Sequence, residues 1–133
     1  MKSILCLLIT VLSLAACQTA DKKISATDLT TIEWIDSTFI DLGEIKAGSE
    51  VEIPFLFKNT GDKQLVIASV TAGCGCTVAE KPEQPIAPGQ DGLIIAKFNS
   101  KGQPKGEARK SVRVTANTDP AETTLEFRVA ITD

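Results

Sequence analysis

Two thiols one glycine apart are the feature of this sequence best placed to do chemistry: residues 71 to 80 read TAGCGCTVAE, in a chain with no histidine and no tyrosine. In a strand, residues i and i+2 point to one face, so Cys74 and Cys76 are expected side by side, with Gly75 freeing the backbone between them. Alternate α carbons of a regular strand stand about 6.6 Å apart, at the upper edge of what a disulfide spans. A bond between these sulfurs therefore requires a bend.

Several chemistries compete for the pair. As a staple it is weak, because closing so short a ring removes only about 1.6 kcal/mol of unfolded-state entropy, against roughly 4 kcal/mol or more for a long loop. As a metal site it is incomplete. Zinc takes four ligands, and beyond the two thiols the nearest additions are Glu80 and Glu83, while the single methionine is Met1. Two thiolates alone suit at most a soft ion such as copper(I), so no metal or other cofactor is expected. As a local disulfide or dithiol, a small ring is more easily reduced than a structural bridge, which makes it a candidate redox pair in an oxidising compartment. The plain alternative is an inert disulfide or simple packing, since cysteine is among the residues most often buried. Exposure separates these readings, because an exchanger needs solvent access and a lowered thiolate pKa.

Other reactive constellations find little footing. Without histidine the common acid, base and nucleophile-activating arrangements are missing, and no glycine-rich stretch opens a helix to cradle phosphate. Glu50 and Glu52 alternate on a polar strand face, which reads as a solvated surface. The 14 basic residues are scattered singly or in pairs such as Lys22-Lys23 and Arg109-Lys110, against 17 acidic ones. No basic stripe offers a footprint for nucleic acid. No catalytic residue is assigned, and an enzyme is not expected.

The first residues, MKSILCLLITVLSLAAC, set a lysine before an apolar run from Ile4 to Ala16 and end in a cysteine, the layout of a secretory signal. That run is shorter than the roughly 18 residues needed to span a bilayer. Leu14-Ala15-Ala16-Cys17 resembles the lipobox of bacterial lipoproteins, which implies a signal peptide over residues 1–16, lipid (palmitate among its chains) on Cys17, and loss of Cys6 with the signal. The polar CQTADKKISATD that follows reads as a flexible tether, residues 17–30. Gln18 after Cys17 favours the outer membrane in lipoproteins of the enterobacterial type, facing the periplasm. The membrane is then a partner through the N-terminal lipid.

From about Thr31 the pattern changes to period two. Val51, Ile53, Phe55 and Phe57 alternate with Glu50, Glu52, Pro54, Leu56 and Lys58, as in a strand lying on a core. Pro54 cannot donate to a ladder and points to an edge or a bulge. KNTGDKQ is turn chemistry, with Asn59, Gly61 and Asp62 suited to a reversal. LVIASVT breaks at Gly73; LIIAKF follows the proline-rich PEQPIAPGQDG. Val112, Val114 and Ala116 share one face, as do Leu125, Phe127, Val129 and Ile131. Short strands with turn signals every 8 to 12 residues or so predict an all-β protein, an immunoglobulin-like antiparallel β-sandwich of about seven strands over residues 31–133.

The stretch from Phe39 to Phe127 resembles the bacterial lipoprotein and periplasmic proteins grouped as domain of unknown function 1573. The likeness rests on Leu42-Gly43-Glu44-Ile45, the turn Lys58-Asn59-Thr60-Gly61-Asp62, Cys74-Gly75-Cys76-Thr77 and Ile86-Ala87-Pro88-Gly89. The family is similar to the sandwich of major sperm protein, Hydin-type domains and pilus chaperones, and the resemblance implies a Gram-negative cell envelope and no established activity. Two functions are carried forward: a lipid-anchored envelope module that works by contact with a protein partner, and, as the alternative, a thiol-disulfide or metal-handling protein using Cys74 and Cys76.

Overall fold

The computed structural model describes residues 28–133. The signal segment 1–16, the lipid-attachment candidate Cys17 and most of the tether lie outside the described residues. Period-two alternation turns one face of the longer strands to the core, and eight strands form among the described residues: β1 (Ile32–Trp34), β2 (Phe39–Lys46), β3 (Glu50–Asn59), β4 (Ile67–Ala72), β5 (Thr77–Glu80), β6 (Asp91–Asn99), β7 (Gly106–Ala116) and β8 (Glu122–Thr132). They form two four-stranded sheets, β1-β3-β6-β5 and β2-β8-β7-β4. The count exceeds the expected seven because β1 and β5 are too short to show an alternation of their own.

The core lies between the sheets. One sheet contributes Ile53, Phe55 and Phe57 from β3 and Ile94, Ala96 and Phe98 from β6; the other contributes Val112, Val114 and Ala116 from β7 and Leu125, Phe127, Val129 and Ile131 from β8. Burying one such large apolar side chain stabilises by about 1.5 to 3 kcal/mol. Phe98 meets Phe127 edge to face across the layers, with ring centroids 5.6 Å apart, and Trp34 meets Phe57 at 5.5 Å. Both separations suit the electrostatic preference of aromatic rings.

Two features depart from simple alternation. Among the described strands the pairings are antiparallel except that of β2 with β8, which is parallel from Phe39 opposite Glu126 to Lys46 opposite Thr132. One extra residue bulges from β2 between Asp41 and Glu44, where Gly43 takes a φ of +67°, a left-handed angle that costs glycine little. Pro54 lies at a local edge. Asn59 N–H donates inward to Gln90 and Thr60 N–H outward to Thr31, so even-numbered residues of β3 aim their nitrogens towards β1. β1 pairs only with residues 57–59 of β3, leaving Pro54 beyond its end.

Asn59 corrects the reading of KNTGDKQ as turn residues alone. It is the last residue of β3 and fully buried, its Nδ2 donating to the carbonyls of Lys63 (2.7 Å) and Ile86 (2.9 Å) while Oδ1 accepts from Thr30 Oγ1 and Gly61 N. Asn117 does similar work beside it, donating to Asp28 and Gln64 carbonyls and accepting from Val66 N. Both amides have every polar atom engaged, as burial requires.

Candidate functional site

β4 belongs to one sheet and β5 to the other, so residues 73–76 carry the chain across the edge of the sandwich. Cys74 and Cys76 sit in this crossing turn rather than on one face of a strand, as the period-two reading placed them. Gly73 N donates to the Ser111 carbonyl (2.9 Å), Thr77 N to Cys74 O (3.3 Å) and Asn99 N to Cys76 O (3.0 Å), which pins the turn at both ends. The bend brings the two α carbons to 5.4 Å, and the sulfurs are joined in a disulfide. Both cysteines are partly exposed and Gly75 is exposed.

Under the disulfide lies Thr77, only 4% exposed. Its Oγ1 is 3.6 Å from Cys74 Sγ and 3.9 Å from Cys76 Sγ, and among the described residues its side-chain hydrogen bonds go to those two sulfurs alone. Oxidised sulfurs carry no proton, so the hydroxyl is the donor. Cys76 also lines an open depression of about 400 Å³ with Gly75, Asn99, Lys101 and Gln103. Nothing in the strand alternation singles out Thr77; its position directly after Cys-Gly-Cys is the only sequence signal for it.

The carboxylates near the pair point elsewhere. Glu80 (2.8 Å) and Glu52 (3.4 Å) both hold Lys97, and the hydrogen bonds that its ammonium donates to Glu80 first and Glu52 second raise the lysine's pKa above its usual value. Glu83 is exposed in the loop after β5. Among the described residues no three metal-ligating side chains come together, so Cys74, Cys76, Glu80 and Glu83 are not assembled into one centre. Glu50 and Glu52 are exposed, as expected of a solvated face.

A second surface is formed by the outer face of the β1-β3-β6-β5 sheet. Leu56 pairs with Leu93, Pro54 with Ile95, and Ile35 N–H donates to the Leu56 carbonyl, so apolar residues of three chain segments meet in adjacent rows. Ile35 is 48% exposed and Leu93 40%. A shallow groove of about 340 Å³ extends the patch from Leu93 and Ile95 to Pro82 and Ile86. Ion pairs frame it: Lys58 with Asp91, and Lys97 with Glu52 and Glu80.

Fold and turn together define an immunoglobulin-like sandwich with a short-ring disulfide where the chain changes sheets. The chain belongs to the family described as Protein of unknown function (DUF1573), whose model matches residues 32–131. Among solved structures it is similar to a protein of unknown function from Porphyromonas gingivalis, at 18% identity and a TM-score of 0.65, covering 80% of this chain and 49% of that one. It thus spans about half the length of that relative. It is also similar to the ASH/PapD-like domain of human CEP192 (11% identity, TM-score 0.51, covering 93% and 97%) and to the VesB protease of Vibrio cholerae (12%, 0.56, covering 80% and 32%). At these identities the likeness is one of fold. No curated protein matches the sequence.

Proposed function

We propose that this chain is a lipid-anchored module of the cell envelope that acts by contact with a protein partner and without catalysis, held by lipid at Cys17 on the outer membrane and facing the periplasm. The observation that carries the reading is the apolar patch of Ile35, Leu56, Leu93 and Ile95 on an outer sheet face. An apolar centre inside a charged rim is the anatomy of a protein interface. The free side of β5 beside it offers unpaired backbone groups for strand addition. No ionisable side chain among the described residues is buried, which supports a role in contact over one in acid-base chemistry.

Two measurements test it together. Labelled palmitate should mark the wild type and leave Cys17→Ala unmarked. A photocrosslinking residue at Leu93 should trap a discrete envelope protein that Leu56→Asp releases, whereas one at Arg113, exposed on the opposite sheet, should trap none. Equal trapping at both positions, or at Leu93 regardless of Leu56, removes the contact surface; equal labelling removes the anchor.

A further inference from the structure

We propose that the Cys74–Cys76 disulfide is a thiol–disulfide exchange centre with a fixed polarity: Cys76 is the sulfur that an incoming thiolate attacks and Cys74 the one that leaves. The inference is independent of the contact surface, which lies on the outer face of one sheet rather than in this turn.

Its first support is Thr77. A hydroxyl buried to 4% exposure bears a desolvation cost, and here it is directed at two disulfide sulfurs, which are poor acceptors. A thiolate is a far better acceptor, so the same hydroxyl, already in place, favours the state in which one sulfur has left with the electron pair. It stands closer to Cys74, at 3.6 Å against 3.9 Å. Access is the second support: Cys76 opens onto the depression whose one charged lining side chain is Lys101, a cation placed to attract an incoming thiolate. The third is that so small a ring adds little to stability, which leaves its chemistry available.

The reductant is a protein dithiol. Its thiolate attacks Cys76 Sγ; the Cys74–Cys76 bond breaks, an intermolecular disulfide forms, and the electron pair departs on Cys74 Sγ, which accepts the hydrogen bond from Thr77. The second thiol of the dithiol, once deprotonated, attacks its own partner sulfur in the mixed disulfide, and Cys76 leaves as a thiolate. Two electrons have then passed to Cys74 and Cys76, the two protons given up by the dithiol are in solvent and return to the cysteine thiolates as these protonate, and the dithiol is a disulfide.

The test uses the full chain, with differential alkylation read by mass on the tryptic peptide that carries both cysteines, so that Cys6 and Cys17 do not enter. Dithiothreitol, the probe dithiol, should reduce the wild type readily. Thr77→Val should slow reduction about tenfold and Thr77→Ser should restore it, the change expected for one hydrogen bond to a charged sulfur. With oxidised glutathione at about pH 10, where free thiols are largely ionised and thiolate fraction no longer separates them, Cys76 in Cys74→Ser should form the mixed disulfide about tenfold faster than Cys74 does in Cys76→Ser. Wild-type rates in Thr77→Val, or equal or reversed rates for the two single cysteines, overturn the proposal. Should Thr77→Val fail to fold, the single-cysteine comparison decides alone. Because small thiols serve as probes, failure here leaves the crosslinking result at Leu93 untouched.

Discussion

Asn59 shows how much one buried amide can organise. Its four hydrogen bonds tie the end of β3 to the turn at Lys63, the loop at Ile86 and the entering chain at Thr30, and Gly89 N adds a bond to its backbone carbonyl. Asn59→Leu keeps the approximate volume but leaves the Gly61 amide without a partner and takes one bond each from the Lys63 and Ile86 carbonyls and the Thr30 hydroxyl, which keep their others, and should cost about 2 kcal/mol in denaturant unfolding. A loss under about 1 kcal/mol would mean that water reaches these groups. The same logic makes Thr77 conspicuous: three of the four Asn59 bonds go to strong backbone partners and the fourth to a hydroxyl, whereas Thr77 uses its hydroxyl on sulfur.

At the scale of the element, the parallel pairing of β2 with β8 depends on charge as well as on the apolar face. Arg109 and Arg128 stand directly opposite each other across β7 and β8, a like-charge pairing that is unfavourable by itself. Asp41 and Glu107 pair with Arg128 and Glu126 with Arg109, which offsets it. The hydrogen bond from Arg128, and next the Gly43 amide, hold the Asp41 carboxyl below its usual pKa. A carboxylate with a lowered folded pKa contributes stability that is present above its unfolded pKa and lost as the pH falls through the folded one. Asp41→Asn should therefore lower the melting temperature slightly at neutral pH, and the difference from wild type should shrink as the pH falls below about 4. The pair is exposed, so high salt should shrink the difference as well. A difference unchanged from pH 7 to pH 3 would assign the effect to the bulge at Gly43 instead of the charge.

For the whole molecule, stability resides in the inter-sheet core and only slightly in the disulfide. Phe55 is 1% exposed, and Phe55→Ala should cost about 3 to 5 kcal/mol through lost burial and the cavity it leaves. Reducing Cys74–Cys76 should cost about 1 kcal/mol, a fall of roughly 4 to 8 °C in melting temperature for a domain of this size. Thermal melts of the two, compared with oxidised wild type, should keep that order; the reverse order would make the disulfide the principal staple.

The alternation of Ile53, Phe55 and Phe57, of Val112 and Val114, and of Leu125 to Ile131 identifies most of the core by itself, because a sheet with one dry face must bury every second residue. The edge position of Pro54 was legible for a similarly local reason, a nitrogen with no proton to give. Direction was not: alternation reads the same along a strand whichever way its neighbour runs, so the parallel β2–β8 pair follows from where the chain changes sheets. The cysteine pair was visible as a spacing, but placing it in a crossing turn, closing it to 5.4 Å and setting the Thr77 hydroxyl beneath it depend on contacts of the turn and β5 with β6 and β7. Local sequence determines which face of a strand is dry. Which buried hydroxyl meets which sulfur is decided only when the two sheets close on one another.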